Sequence, residues 1–175
     1  FSLKEANPKG KIILGGCLAQ RYSEDLVENL PEAHGIFGNR DLSTISDFVN
    51  EIFTKDEGKT QASVPDFPKP EDEINSRSFL YNYPGSAYLK ISEGCNHWCG
   101  YCAIPLIRGS LRSRPMDSIV EEAKNLVSKG IKEINLVAQD LAAYGMDWDK
   151  KSHFLELLHS LTAIEGNFII RMLYI

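Results

Sequence analysis

Three thiols are the first chemistry this sequence offers. Cys95, Cys99 and Cys102 fall within the run Cys95-Asn96-His97-Trp98-Cys99-Gly100-Tyr101-Cys102, spaced C-x-x-x-C-x-x-C, directly after the short apolar run 87–91. A structural zinc site usually takes four nitrogen or sulfur ligands, commonly as two pairs well separated in sequence. Here three thiols share one loop, and the fourth cysteine, Cys17, lies far upstream. Three thiolates leave a four-iron cluster with one iron lacking a protein ligand, and an open metal position is where chemistry can happen. Metal binding deprotonates such thiols, so no separate base is needed. Trp98 and Tyr101 would form an apolar shell that limits solvent access and tunes the potential. A zinc knuckle borrowing His97, or a set of surface thiols, is the plainer alternative.

Other polar groups are candidates by position. Gln139 and Asp140 follow the apolar run 134–138, at the end of an expected strand. They could serve a ligand there or simply end the strand. Arg108, Arg112 and Arg114 form a local basic stretch with no acid between Pro105 and Pro115. Arginine grips carboxylates bidentately, although a solvated loop would read the same way. Cys17 alone is most simply a small buried hydrophobe. His97, His153 and His159 have no acid–base partner evident in sequence and read as structural. Tyr144 and Trp148 read first as core aromatics.

The elements that must position these groups follow from periodicity. A strand is expected over 11–14, closed by Gly15-Gly16. A helix is expected over 18–30, with Leu18, Tyr22, Leu26 and Leu30 at a helical period and Pro31 stopping it. Residues 35–38 read as a second strand. Asp41 or Ser43 would cap a helix whose apolar stripe is Ile45, Phe48, Val49, Ile52 and Phe53. Strand–helix–strand–helix implies an α/β unit on a parallel sheet. Two strands make a thin sheet, so part of this domain, 1–54, is expected to be missing.

Residues 55–86, with Pro65, Pro68, Pro70 and Pro84, read as a proline-rich linker. A second domain is expected over 87–175, opening with a strand over 87–91. A helix follows from about 116, with Ser118 and Glu121 at capping-box spacing and Gly130 closing it. Its apolar face is Ile119, Val120, Ala123, Leu126 and Val127. A strand is expected over 134–138. Next comes a helix over 152–164 with Phe154, Leu155, Leu157, Leu158 and Leu161 inward, then a strand over 168–175. This β-α-β-α-β order implies right-handed crossovers on a parallel sheet. Active sites in such barrels gather at the carboxyl ends of the strands, where the cysteine loop and Gln139-Asp140 both fall.

Composition bounds the partners. The chain has 175 residues, 43% hydrophobic and 25% charged, enough to bury a core. A net charge of -5 gives no basic field, which argues against nucleic acid as the partner of this segment. No apolar run approaches the roughly 20 residues of a membrane span, and no signal peptide is evident. Crowded cysteines fit a reducing cytoplasm better than a disulfide scaffold. The chain opens on Phe1 and reads as cut or processed.

The cysteine loop resembles that of the radical S-adenosylmethionine (radical SAM) enzymes. Its flanks sharpen the likeness: Ile91-Ser92-Glu93-Gly94 leads in and Ala103-Ile104-Pro105-Leu106-Ile107-Arg108-Gly109 leads out. Arg112-Ser113-Arg114-Pro115, Ala138-Gln139-Asp140 and Tyr144-Gly145 follow. Together these resemble the methylthiotransferase family. The resemblance implies a 4Fe–4S cluster on Cys95, Cys99 and Cys102, with SAM on its open iron. Reduction would cleave SAM to methionine and a 5′-deoxyadenosyl radical. Tyr101 would lie near the adenine, Gln139 and Asp140 near the methionine part of SAM, and Arg108 is a further cofactor-binding candidate. An aspartate there could pair with the SAM ammonium.

The run Gly15-Gly16-Cys17-Leu18-Ala19-Gln20-Arg21-Tyr22 is similar to the same family's amino-terminal domain. That resemblance implies that Cys17 would be a ligand of a second 4Fe–4S cluster whose other two cysteines would lie upstream of Phe1. The implied fold is the second half of a Rossmann-like amino-terminal domain followed by about the first half of a (β/α)6 barrel, both incomplete. The fragment alone would be inactive. Of the two branches, one modifies tRNA adenosine (MiaB-type) and the other an aspartate of a small-subunit ribosomal protein (RimO-type). Gln139-Asp140 and Arg171-Met172-Leu173-Tyr174 resemble the second, although Leu141-Ala142-Ala143 departs from its hydroxyl-rich run. The implied partners are the ribosomal protein and an electron donor. A passive iron–sulfur or zinc module is the non-enzymatic reading, against which stands a loop of three cysteines where carriers supply four.

Overall fold

A computed structural model describes residues 5–55, 59–67 and 84–173. The chain divides into two compact units, Phe1–Pro68 and Lys69–Ile175. Both are α/β with parallel sheets. Among the described residues no helix is long and apolar enough to cross a membrane.

In the first unit β1 (Ile13–Gly15), β2 (Gly35–Phe37) and β3 (Gln61–Ser63) form a parallel sheet in the order β1-β2-β3. Helices α1 (Cys17–Arg21), α2 (Ser23–Asn29) and α3 (Ile45–Thr54) connect them. The core is small: Phe37, Phe48 and Ile52, with Ile13 against them. Gly35 lets α3 close on the sheet, because a Cβ there would meet the Phe48 ring at 3.0 Å. The Phe37 and Phe48 rings then pack with centroids 5.3 Å apart.

Three expectations for this unit need correction. The helix over 18–30 is two helices, because Tyr22 leaves helical geometry at φ -128°. Ser23 then opens α2, with Glu24 and Asp25 in its first turn, acidic residues that a helix amino terminus favours. Leu18 and Tyr22 are exposed, and the residues α1 buries are Ala19 and Gln20. Neither Asp41 nor Ser43 caps α3. Asp41 Oδ1 instead accepts the Ser43 N–H at 2.9 Å in a turn ahead of it, and Thr44 holds the cap position.

The supposed linker 55–86 contains β3. Gln61, Ala62 and Ser63 carry no apolar signal, and main-chain pairing holds the strand: Gln61 N–H donates to His34 O (3.1 Å) and Gly38 N–H to Ser63 O (2.8 Å). Pro68 and Pro70 lie outside the described residues.

The second unit is built on β4 (Ser86–Lys90), β7 (Glu133–Val137) and β8 (Ile169–Met172), parallel in the order β4-β7-β8. Helix α5 (Met116–Ser128) crosses from β4 to β7 and α7 (Phe154–Thr162) from β7 to β8. Ala87, Leu89, Ile119, Ala123, Leu126, Ile134, Leu136, Leu157 and Leu161 share one core. Leu155, expected inward, is exposed, since it lies off the face of Phe154, Leu157 and Leu161. The capping box at Ser118 does not form: Pro115 holds the cap position, and Ser118 Oγ accepts from Arg114 Nη2 at 3.2 Å. The register sets Lys90 opposite Val137, so the chain leaves both strands at the same sheet edge.

Four short elements at that edge were not expected. β5 (Ser92–Glu93) and β6 (Arg112–Ser113) pair antiparallel across the cysteine loop, which includes α4 (Ile104–Arg108). α6 (Met146–Asp149) packs beside them. Ser113 N–H donates to Asp147 Oδ2 (3.0 Å) and Gly145 N–H to Ser113 Oγ (2.8 Å). Tyr144 is fully buried and its hydroxyl donates to Arg114 O at 2.8 Å; burial pushes the phenol above its ordinary value, so it stays a donor.

Arg114 ties these pieces together. Its Nη1 donates to Lys90 O (2.6 Å) and its Nη2 lies 2.8 Å from Glu122 Oε2, with side chains only 7% and 6% exposed. Removing one partner strands the other as a buried charge. Glu122→Ala should therefore lower unfolding stability by roughly 3–5 kcal/mol in urea titration. A loss under about 1 kcal/mol, the range of exposed pairs, would show that the pair does not hold this edge.

His153 bridges α6 and α7, with Nδ1 2.7 Å from Glu156 Oε2 and Nε2 3.1 Å from Asp149 Oδ1. The hydrogen bond to Glu156, then that to Asp149, raises its pKa above the ordinary value of about 6.5. A raised folded pKa means the link is fully made below about pH 6.5 and is lost as pH climbs through the folded value. NMR titration of the His153 ring should give a midpoint above 6.5, moving down in Glu156→Gln. A midpoint at or below 6.5 would contradict the bridge.

Candidate functional site

The cysteine loop is shaped at its neck. Gly94 sits at φ +79°, and a Cβ there would come 2.1 Å from Ser110 O and 2.8 Å from Gly109 O. Only glycine admits both the left-handed conformation and that approach. Cys95 N–H donates to Gly109 O (3.1 Å), and Asn96 Oδ1 accepts the Leu111 N–H (3.0 Å). Within the loop Cys102 N–H donates to Cys99 O (2.9 Å).

All three loop thiols are free, and they line one open cavity of about 590 Å³ with His97, Ile104, Ala138, Gln139 and Asp140. The cysteines come from the loop after β5, and Gln139 and Asp140 come from the end of β7. Pattern alone brought these residues to one edge, and the structure puts them on one cavity. A smaller cavity of about 130 Å³ adjoins Cys95, Asn96, His97 and Asp140 on the side of Leu111, Met146 and Lys150.

The donor set can be tested against a metal. Among the described residues no three His, Cys, Asp or Glu side chains converge on one point, as a single ion requires. A four-iron cluster makes a different demand, since each thiolate takes its own iron. The cysteines need to share one space, and Cys95, Cys99 and Cys102 line one cavity. The residues fit a cluster with one open position. They do not form a mononuclear zinc site with His97.

His97 has a partner that the sequence did not reveal. Its Nε2 lies 2.9 Å from Asp140 Oδ2, across 43 positions of chain, and its own N–H donates to Cys95 Sγ at 3.4 Å. Asp140 Oδ1 accepts the Ala143 N–H at 3.3 Å, which orients the carboxylate. The aromatic shell does not form: Trp98 is 75% and Tyr101 95% exposed. A short loop with no element packed over it among the described residues cannot cover two large rings.

The arginines have partners in space although none in local sequence. Glu93 is buried and lies 2.5 Å from Arg108 Nη1, 3.3 Å from Lys90 Nζ and 3.8 Å from Arg112 Nη2. Arg108 is therefore an ion-pair partner of Glu93 just below the loop, and it does not line the cavity.

Cys17 belongs to the other unit. It is exposed, not buried, and opens α1 directly after β1. Asn39 Nδ2 donates to its sulfur at 3.1 Å. Asn39 and Glu93, like the His97 partnership, had no sequence signal, because each depends on a contact between segments far apart in the chain.

Comparison with known proteins follows this geometry. Residues 89–173 match the radical SAM superfamily. The chain is 42% identical to the ribosomal protein uS12 methylthiotransferase RimO of Treponema denticola over 98% of its own length and 39% of that protein's. With the protein of the same name from Acetivibrio thermocellus the figures are 40%, 98% and 40%. With that from Desulforamulus reducens they are 44%, 99% and 39%. The chain thus spans about two fifths of the length of these relatives. The cysteine loop and the strand end facing it lie within the span that matches the radical SAM superfamily, and nearly the whole chain is similar to the uS12 methylthiotransferases.

Proposed function

We propose that the protein is a radical SAM methylthiotransferase that adds a methylthio group to the β-carbon of an aspartate in ribosomal protein uS12. The observation that carries the reading is the single cavity lined by Cys95, Cys99, Cys102, Gln139 and Asp140. The substrate rests on the names of the relatives, which also favour the aspartate branch over the tRNA branch. The reading includes a second cluster held in part by Cys17, an electron donor, and a reducing cytoplasm that keeps the thiols free.

A four-iron cluster with SAM on its open iron supplies, when bound, a radical able to abstract hydrogen from carbon. The residues of this chain do the rest. Cys95, Cys99 and Cys102 hold the cluster. Asp140, its carboxylate oriented by Ala143 N–H, pairs with the SAM ammonium in a charge-assisted bond. Gln139 offers both a donor and an acceptor to the methionine part. Tyr101, exposed beside the loop, covers the adenine. Arg108 acts through Glu93, by fixing the neck of the loop, more directly than on SAM itself.

Two measurements test this. The full-length protein, reconstituted anaerobically with iron, sulfide, SAM and reductant, would be offered uS12 and unmodified tRNA together. Mass spectrometry should find a methylthio gain on one uS12 aspartate, and a gain confined to tRNA adenosine would overturn the substrate. Separately, Asp140→Asn should weaken SAM binding by roughly 10–100-fold, the worth of one hydrogen bond to a charged group. Cluster iron should be unchanged in that variant. Unaltered SAM affinity would remove Asp140 from the cofactor site.

A further inference from the structure

Asp140 follows β7 and His97 lies among the loop cysteines, 43 positions earlier, yet their side chains are bonded, with His97 Nε2 2.9 Å from Asp140 Oδ2. An ionised carboxylate only accepts, so the ring is the donor. Both oxygens of Asp140 are then engaged, since Oδ1 accepts the Ala143 N–H at 3.3 Å. Cys95, His97 and Asp140 line both the cavity of about 590 Å³ and that of about 130 Å³, so this bond stands where the two spaces meet.

The bond matters because so little else fixes the carboxylate. The last torsion of an aspartate is broad, with no deep well to hold the plane of its oxygens. The Ala143 bond is long and reaches one oxygen only. A second donor, on the other oxygen and from a distant segment, leaves a single orientation. His97 is itself tied to the loop, its main-chain N–H donating to Cys95 Sγ at 3.4 Å. The ring therefore joins the loop that carries the thiols to the carboxylate on the facing strand end. With 65% of its side chain exposed, His97 fills no core. Exposed pairs of this kind add little to stability, so the value of the bond lies in where it holds Asp140.

We propose that His97 is a positioning residue for Asp140, holding its carboxylate in the orientation that accepts a ligand's ammonium group at the thiol cavity. This rests on the proposed function, in which that ligand is SAM. The physical reason is preorganisation. A carboxylate already ordered loses less freedom when the ligand arrives. Each of its oxygens has two lone-pair sites, so with Ala143 and His97 bonded one site on each oxygen still faces a ligand cation.

The test measures SAM affinity by anaerobic titration calorimetry, with iron content beside it, on the reconstituted full-length protein. The main-chain bond to Cys95 survives any change of side chain, so substitution at position 97 probes the ring alone. His97→Ala should keep cluster iron and weaken SAM binding roughly 3- to 10-fold, the worth of one side chain's lost ordering. His97→Gln, whose amide nitrogen stands as far along the side chain as Nε2, should restore most of that affinity. In an Asp140→Ala background His97→Ala should add no further loss, because the ring acts only through the carboxylate. Unaltered affinity in His97→Ala, where Asp140→Ala weakens binding, would overturn the positioning role and leave Asp140 at the cofactor site. Equal losses from His97→Ala with and without Asp140 would also overturn it, making the ring a direct contact of SAM. Loss of iron from His97→Ala in a folded chain would do the same, making His97 necessary for cluster assembly. If neither Asp140→Ala nor His97→Ala alters SAM affinity, the placing of Asp140 in the proposed function fails along with this inference.

Discussion

The backbone crossing at Gly94 is the constraint on which the second unit's site depends. There the chain entering the cysteine loop passes so close to Gly109 and Ser110 that no Cβ fits between. Cys95 N–H and Gly109 O close the gap, and the Ser92–Glu93 and Arg112–Ser113 ladder continues it downward. A loop pinned at its neck has far fewer conformations than a free one of the same length, so the entropy of ordering three thiols is largely met before any metal arrives. Below the neck Arg114 fastens the ladder to the sheet through Lys90 O and to α5 through Glu122. The thiols are thus held by main chain, and the main chain by a buried ion pair.

Electrostatics explains why so many arginines follow the loop. Glu93 sits just before the neck with Lys90, Arg108 and Arg112 around it, and Glu122 sits on α5 for Arg114. A carboxylate buried beside the loop would be costly alone, since an unpaired charge is poorly solvated in low dielectric. Surrounded by cations it becomes a strut. The basic stretch that reads locally as an anion receptor is, in space, the counter-charge of the scaffold.

How much of this the sequence disclosed depends on the range of the interaction. Strands rich in apolar residues, expected at 134–138 for example and found at 133–137, and helices with a clear period such as α5 were legible, because their signal lies within a few residues. The three loop cysteines were legible by spacing, and their meeting with Gln139 and Asp140 by the rule that parallel strands end at one edge. What escaped has no local signature. Strand β3 is held by main-chain bonds under side chains that say nothing, and the break at Tyr22 preserves the apolar period while ending the helix. The bond from His97 to Asp140 and that from Asn39 to Cys17 join residues 43 and 22 positions apart. Trp98 and Tyr101 fail in the opposite sense: their composition promised a shell, but burial needs a neighbour, and the described residues set none over them.

The two units reach their cysteines by the same topological route and differ in what the neighbouring strand delivers. In each, a strand of a parallel sheet ends, the chain turns, and a cysteine follows; the adjacent parallel strand ends beside it and contributes one polar side chain. In the first unit that side chain is Asn39, a neutral donor whose N–H can reach an anionic sulfur. In the second it is Asp140, a carboxylate that shares the cavity with the thiols and bonds to His97. A carboxylate beside thiolates is favourable only if a cation comes between or alongside them. An amide beside a thiolate needs no such third party. Under the proposed function a SAM ammonium group is a cation of the kind that a carboxylate on the second cavity would pair with.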